Sequence, residues 1–346
     1  MAIDSESIFL SIIVPVFNQN PILLERALKS AAEQKDAPRY EVIVVDDGSK
    51  ETRTTADLCS TYGARYLPLE HQGLSGARDS GILASEGAYI AFLDSDDYLS
   101  DQFVNFAYQA YQIKPFEVVL FGNTSSEIIS YSFSRDAALV FDKSNDIQRL
   151  FNRLDHLNPG VEIRSSWAKA FKKSFLIDNN LLYPRDLECQ GEDHIMMLNL
   201  STKAKLIGVF ALYQLYHYEL SPQSVSSSYN PKNLSRFLAL INAWKSFLVT
   251  SKAAPEKYEE FYYTVSGEYL EQLLGLLYCN PSNPASKRDR FKAAKRDLFT
   301  APDFHEAIQK AKVSSCPSRL KKLNLIALKL HLYRLVFHHY EAKRMK

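Results

Sequence analysis

The chain is 346 residues long, enough for two domains of roughly 100–200 residues each. Its 46% apolar and 23% charged content is that of a globular protein and excludes a disordered or collagen-like chain. The 41 basic and 40 acidic side chains nearly cancel, so no bulk field calls for a nucleic-acid partner.

In chain order, residues 9–17 form a nearly continuous apolar run, repeated at residues 41–45, 88–93 and 116–121. Runs of this kind are strands of a parallel sheet covered on both faces. Between the first two, Leu24, Ala27, Leu28 and Ala31 fall at helical spacing, with Asn20 placed to cap and Pro21 at the first helical position. Phe103, Phe106, Ala107 and Ala110 repeat that spacing after Ser100. The alternation predicts an α/β, doubly wound, mostly parallel sheet, which binds ligands at the carboxyl ends of its strands.

From residue 126 to 225 the elements shorten and include a hairpin-like pair, residues 127–133 and 138–141. The polar, Ser/Pro-rich stretch 221–231 reads as a linker. The expected organisation is a domain over residues 1–225, with halves 1–125 and 126–225, followed by a helical region over 226–346. In that region Leu234, Phe237, Leu238, Ile241 and Leu248 form one apolar face, and Tyr258, Tyr262, Val265, Tyr269 and Leu273 another. Residues 310–346 carry ten Lys and Arg against one acid, Glu341, leaving 31 basic and 39 acidic groups elsewhere. Within residues 319–346, Leu320, Leu323, Ile326, Leu330, Tyr333, Phe337 and Tyr340 repeat at helical steps beside Lys321, Lys322, Lys329, Arg334, Lys343 and Arg344. A basic amphipathic tail of this kind suits an anionic membrane surface, and its plainer reading is a packing helix with solvated lysines.

The four cysteines (Cys59, Cys189, Cys279, Cys316) form no CxxC pair, which favours a reducing compartment. Nothing flanking Cys189 would activate a thiolate. The first apolar run follows Asp4 and Glu6 rather than a basic segment, and no stretch reaches the ~18–20 apolar residues of a membrane span. The expectation is a soluble, cytoplasmic chain that touches a membrane at most peripherally.

Two acidic clusters follow strands: Asp46-Asp47-Gly48-Ser49 after the second, and Asp94-Ser95-Asp96-Asp97 after the fourth. Carboxylates gathered at one sheet edge repel one another unless a cation neutralises them, and Mg²⁺ or Mn²⁺ takes such oxygen ligands together with phosphates. The plainer reading makes one cluster a helix cap. The segment from Gly73 to Gly81 is glycine-rich but is not GxGxxG, and GxxxxGK[ST] is absent, so dinucleotide-fold and P-loop readings lose their support. Arg78 within it could neutralise a phosphate through its planar fork.

These motifs, Ile12-Ile13-Val14-Pro15-Val16-Phe17-Asn18, Val44-Val45-Asp46-Asp47-Gly48-Ser49, Gly76-Ala77-Arg78 and Phe92-Leu93-Asp94-Ser95-Asp96-Asp97, resemble the ordered signature of family 2 glycosyltransferases. Trp167-Ala168-Lys169 and Gly191-Glu192-Asp193 extend the resemblance to about residue 220. It implies a GT-A fold, an inverting mechanism, a nucleotide-diphosphate sugar donor (most often a UDP-sugar), a glycan-type acceptor and a Mn²⁺ or Mg²⁺ cofactor. It also implies roles: Pro15 and Phe17 line the base pocket, Asp47 bonds the base, and Arg78 lies near base or diphosphate. Asp94 and Ser95 sit at the nucleotide sugar, Asp96 ligates the metal with Asp94 beside it, and Asp97 is structural. Asp193, paired with Glu192, is the general base, and Trp167 and Lys169 shape the acceptor pocket.

The chain departs from that pattern in four places. It has Glu70-His71-Gln72-Gly73 where Asn often precedes the turn, Asp79 where Asn is usual, and Tyr218-Glu219 with Ser224 where a Tyr-Arg pair and a later Ser are expected. His217 stands where a late His could complete a metal shell. A third carboxylate at Asp79 would alter donor affinity. Two other readings are weaker: a nucleotidyltransferase would need a basic Gly-rich loop where Asn18-Gln19-Asn20-Pro21 stands, and a non-catalytic sugar-binding module would not need Asp94, Asp96 and Asp193 together.

Overall fold

The seven residues of β1 (Leu10–Val16) are all buried. Ile12, Val14 and Val16 pack into one core and Ile13 into a second on the opposite side of the sheet, which is why the strand reads as one unbroken apolar run. The computed structural model describes residues 6–152, 161–185, 187, 191–219, 229–251, 255–316 and 318–344. Cys189, Ser224 and the expected boundary at residue 225 lie outside the described residues. The chain divides into two compact units, Met1–Leu220 and Ser221–Lys346.

In the first unit β1 is flanked by β2 (Tyr40–Asp46) and β4 (Tyr89–Phe92), with β3 (Arg65–Pro68) beyond β2, all four parallel. Beyond β4 the order continues with β8 (Lys169–Lys172), β6 (Val118–Thr124), β9 (Ile207–His217) and β5 (Tyr98–Leu99), and β7 (Leu139–Phe141) also pairs with β9. Strand β8 runs antiparallel to β4 and β6, and β6 is parallel to β9. The sheet is therefore mixed and mostly parallel. Helices α1 (Pro21–Ala32), α2 (Thr52–Thr61) and α4 (Phe103–Ile113) contribute to one core. On the other face lie α3 (Gly73–Ala84), α5 (Ser144–Asn152), α6 (Lys173–Asp178) and α7 (Glu192–Lys203).

Helix α1 starts as its sequence requires. The Asn20 side chain accepts from the N–H of Ile22 at 2.9 Å, and Pro21 occupies the first turn. The hairpin expected at residues 127–133 does not form. Within the second segment Leu139–Phe141 pairs instead with β9, and Tyr131 and Phe133 pack as rings against Tyr213. A long neighbouring strand with an open edge outcompeted a local turn.

The second unit is helical: α8 (Asn233–Thr250), α9 (Pro255–Leu273), α10 (Lys287–Ala294), α11 (Pro302–Lys310), α12 (Arg319–Lys329) and α13 (Tyr333–Arg344). Single π-helical turns, Leu274–Tyr278 and Lys295–Phe299, end α9 and α10. The α9 face Tyr258, Tyr262, Val265, Tyr269 and Leu273 is buried, while α8 turns Trp244 and Phe247 inward where the spacing pointed to Leu248. The tail is not one helix with one apolar face. The chain turns at residues 330–332, with His331 at φ +58°, and the helical phase is reset. Tyr333 and Phe337 are consequently buried with Leu325, Leu328 and Val336, whereas Leu320, Leu323, Ile326 and Leu330 are exposed. Among the described residues no helix is long and apolar enough to cross a membrane.

Candidate active site

The carboxyl ends of the parallel strands carry both acidic motifs, and each finds its own partners. The first acidic cluster is consumed by backbone. Asp46 accepts from the Ser49 N–H (2.9 Å) and the Tyr66 hydroxyl (2.8 Å). Asp47 accepts from the N–H groups of Gln72 (2.7 Å) and Gly73 (2.9 Å), fixing the turn that starts α3. Both carboxylates are buried, and the hydrogen bonds they accept hold the turns at this end of the sheet.

What meets the second cluster is the start of α7. Gly191 adopts φ +80°, a left-handed value that suits glycine, and the helix then opens on Glu192 and Asp193. Asp193 does not cap this helix. Its Oδ1 takes an ion pair from Arg78 Nη1 and a hydrogen bond from Ser166 Oγ (3.1 Å), and its Oδ2 accepts the Ser166 N–H (3.1 Å). The same guanidinium reaches Glu192 Oε1 (3.2 Å) and Asp94 Oδ1 (3.2 Å). It also lies over the Tyr183 ring at 5.3 Å, and the Tyr183 hydroxyl donates to Ser166 Oγ at 2.5 Å. Arg78 is 2% exposed and sits among three carboxylates, so it is not a solvated helix cation.

Burial alone would depress the Arg78 cation, but Asp193, Asp94 and Glu192 hold its pKa well above the ordinary value. The acids respond in the other direction. Burial, reinforced by the Asp193 charge and opposed by Arg78, pushes the Glu192 carboxyl up to about 7. Its Oε2 is buried without a hydrogen-bond partner among the described residues. Burial likewise lifts Asp94 to about 6 despite Arg78, and Asp97 to about 8. Asp97 is spent structurally, accepting from the Tyr216 hydroxyl (2.6 Å) and the Glu219 N–H (2.8 Å). Asp96 is raised as well, chiefly by burial, and is half-buried.

Asp94 and Asp96 supply hard oxygen donors at a place where burial and mutual repulsion disfavour their charged forms, so a divalent cation fits their chemistry. Among the described residues no three His, Cys, Asp or Glu side chains could hold a metal by themselves. A two-carboxylate arrangement is the kind Mg²⁺ accepts when substrate phosphates and waters complete its shell. His217 bonds the Ser126 carbonyl through Nδ1 (2.9 Å) and stacks on Tyr98 at 4.1 Å.

The remaining expected residues take these positions. Pro15 lies within buried β1 opposite Val45, and Phe17 projects beyond the end of the strand, 49% exposed. Ser95 Oγ accepts from Gln19 Nε2 at 2.9 Å. Trp167 is half-buried and lies parallel to Tyr216 (4.9 Å) and Tyr218 (5.6 Å), forming an aromatic wall. Lys169 is fully buried; its ammonium bonds the carbonyls of Glu162 (2.5 Å) and Trp167 (3.2 Å), and burial lowers its pKa to about 8. It clamps the loop behind Trp167. Asp79 also turns inward, accepting the Tyr183 N–H (3.0 Å) and pairing with Arg185 (3.3 Å), so it adds no third carboxylate to a phosphate. Glu219, standing where Arg was expected, pairs with Arg26 at 2.7 Å.

Sequence reasoning missed Ser166, Tyr183, Tyr216 and Arg26. Ser166 directly precedes the Trp167 motif, which was its one visible signal; the others lack any local pattern.

Residues 11–178 match the family model for glycosyl transferase family 2. The chain is 25% identical over 270 residues to the poly(ribitol-phosphate) beta-N-acetylglucosaminyltransferase TarP of Staphylococcus aureus, covering 76% of this chain and 79% of TarP. In fold it is similar to S. aureus TarS in complex with UDP-GlcNAc (TM-score 0.63, 18% identity, 97% of this chain and 93% of that one). It is also similar to the mannosyltransferase PcManGT from Pyrobaculum calidifontis in complex with GDP-Man and Mn²⁺ (TM-score 0.52, 14% identity, 99% and 89% covered).

Proposed function

Because the chain belongs to glycosyl transferase family 2 and is a glycosyltransferase, we propose that it moves a sugar from a UDP-sugar to a hydroxyl of a glycan, glycolipid, teichoic acid or glycoprotein-glycan acceptor, with inversion. The observation that carries this reading is the convergence of three separate motifs on one buried cation: Arg78, Asp94 and the Glu192-Asp193 pair. The relatives' names support a hexosaminyl donor and a polyol-phosphate acceptor, UDP-GlcNAc being the ligand of TarS and poly(ribitol-phosphate) the acceptor in the name of TarP.

In the proposed reaction the acceptor oxygen attacks the anomeric carbon as the bond from that carbon to the diphosphate oxygen breaks. Asp193 takes the acceptor proton, and the electron pair leaves with the nucleoside diphosphate. Ser166 and Arg78 hold the Asp193 carboxylate in place, and Trp167 offers the acceptor an apolar face. Pro15 and Phe17 form the base end of the donor site, and Ser95 lies near the nucleotide sugar. Mn²⁺ or Mg²⁺, held by Asp94 and Asp96, would offset the charge gathering on the departing diphosphate. Peripheral contact with an anionic membrane surface is the reading that the exposed leucines of α12 and the basic residues around them support.

The test is nucleotide release with a panel of sugar nucleotides and Mn²⁺ or Mg²⁺, with and without EDTA. Turnover is expected to need the metal and to disappear in Asp96→Ala. Asp193→Asn should bind donor normally while its kcat falls by roughly 10²–10⁴-fold, the usual worth of a positioned base. Metal-independent turnover would remove Asp96 from the mechanism, and equal loss of binding and turnover in Asp193→Asn would make Asp193 structural.

A further inference from the structure

The turn at residues 94–97, which carries Asp94 and Asp96, is anchored from two sides. Its ends are tied to the end of β9. The Asp94 N–H donates to the Tyr216 hydroxyl (3.2 Å), that hydroxyl donates to Asp97 Oδ2 (2.6 Å), and the Glu219 N–H donates to Asp97 Oδ1 (2.8 Å). Its middle is tied to α1 and the residues before it: Gln19 Nε2 donates to Ser95 Oγ (2.9 Å), and Arg26 Nη2 donates to the Asp96 carbonyl oxygen (2.6 Å). Arg26 joins the two sides. Its Nη1 pairs with Glu219 Oε2 at 2.7 Å, and its guanidinium lies 5.1 Å from the centre of the Tyr98 ring, which stacks on His217 at 4.1 Å. One planar fork therefore links α1, the Asp96 backbone, β5 and the segment that follows β9. It is held there although its buried Nε has no hydrogen-bond partner among the described residues.

We propose that Arg26 is a positioning residue for the divalent cation: by tying the Asp96 carbonyl to Glu219 it fixes where the Asp96 carboxylate stands, and so sets how tightly the ion is held. The proposal rests on the reading of Asp94 and Asp96 as the metal-binding pair. Two effects of Arg26 on a cation oppose each other. As a positive charge beside Asp96 it repels Mn²⁺ or Mg²⁺; as an anchor it holds a ligand in place before the ion arrives. The Glu219 carboxylate decides between them. At 2.7 Å it makes the pair neutral overall, so the field at Asp96 is a small difference between opposed charges, while the hydrogen bond to the Asp96 carbonyl stays intact. A site with two protein carboxylates also has few other protein ligands to make up for one that is misplaced. Anchoring therefore outweighs repulsion. Glu219, standing where Arg was expected, is then the counter-charge that lets a guanidinium sit beside a cation site.

The experiment is titration of the full chain with Mn²⁺ in the presence of UDP, with free Mn²⁺ read by electron paramagnetic resonance, for wild type, Arg26→Ala and Arg26→Lys. Melting temperatures and turnover are measured on the same preparations. Arg26→Ala should bind Mn²⁺ about ten- to a hundredfold more weakly, the usual effect of removing a group that orients a metal ligand. Turnover should then need correspondingly more Mn²⁺ for half its maximum, while kcat at saturating Mn²⁺ returns toward wild type. Lysine keeps the charge but not the fork, so it cannot serve the Asp96 carbonyl and Glu219 together. Arg26→Lys should therefore melt near wild type yet show most of the loss in Mn²⁺ affinity, which keeps the test decisive if Arg26→Ala folds poorly. Tighter Mn²⁺ binding by Arg26→Ala would mean that repulsion dominates and would overturn the proposal. Wild-type Mn²⁺ affinity in Arg26→Lys would overturn it too, as would a kcat that saturating Mn²⁺ does not restore while Mn²⁺ affinity is unchanged. Wild type that binds UDP but no Mn²⁺ would instead overturn the reading of Asp94 and Asp96 as a metal pair, and the proposal with it.

Discussion

Arg78 decides the chemistry of the site more than any single carboxylate does. One buried guanidinium faces Asp94, Glu192 and Asp193, and the geometry holds only while the planar fork can serve all three. Arg78→Ala leaves those acids without a counter-charge, and a loss of about 3–5 kcal/mol is expected in denaturant unfolding, the cost of removing one partner from a buried pair. Arg78→Lys keeps the charge without the fork and should recover most of the stability but little activity. Glu192 makes a separate prediction. Its carboxyl sits near 7 in the folded chain against an ordinary value of 4.5, because burial and Asp193 disfavour its charge. The folded state thus binds more protons there, so this contribution to stability is full below the ordinary value and is lost as pH rises toward 7. Glu192→Gln fixes the neutral form. Its melting temperature should fall less than that of wild type between pH 4.5 and 8, and parallel curves would remove Glu192 as the source.

At the scale of elements, α3 carries Arg78 and must lie close to β1 for the guanidinium to reach α7. Gly81, one turn further along, permits this approach: a β-carbon there would collide with Ile13 Cγ2 of β1. Gly81→Ala is expected to cost about 1–3 kcal/mol through overpacking. It should also lower kcat, since lifting the helix moves Arg78 off Asp193. Melting and turnover measured on one preparation would check this. A stable variant with full activity would mean that β1 can yield at Ile13. The same closeness explains why α3 is small-residue-rich and had no strong apolar stripe to read in the sequence.

At the scale of the whole molecule, charge is unevenly distributed: the last 37 residues hold ten basic groups and one acid. Several of these are engaged inside the helical unit. Lys321 pairs with Glu268 (2.5 Å), Lys329 bonds the Gln309 carbonyl (2.7 Å), and Glu341 is held by Arg290 (3.0 Å) and Lys287. The outer surface nevertheless shows Leu323, Leu330 and Leu335 at 55–63% exposure, with Lys322 and Arg334 nearby in sequence. Because Val336 and Phe337 are core residues, cutting at residue 318 would unfold the unit, so exposed positions make the better test. Leu323→Glu combined with Leu330→Glu should preserve melting yet reduce flotation with anionic liposomes, and raised salt should weaken wild-type binding as the Debye length shortens from ~10 Å at 0.1 M. Equal flotation of both forms would make the tail a packing element alone.

Much of this protein could be read from its residues because the relevant forces are local or periodic. The runs at β1, β2, β4 and β6 announce burial on both faces, Asn20-Pro21 announces the start of α1, and the Asp94-Ser95-Asp96-Asp97 and Glu192-Asp193 motifs lie at element ends where their spacing is visible. Tertiary structure decided what local signals leave open. Which carboxylates meet depends on strand order, and the sheet brought Asp94 to Glu192 and Asp193, 98 and 99 positions further along the chain, while Asp46 and Asp47 spent their oxygens on turns. Arg78, Asp79 and Lys169 were each legible as charges, but the burial that turned them into a hub, a tether and a clamp exists only once α3, α7 and the Trp167 segment have packed together. The tail shows the same limit: its helical period was visible in the sequence, but a turn at residues 330–332 reset the phase and decided which leucines face the core.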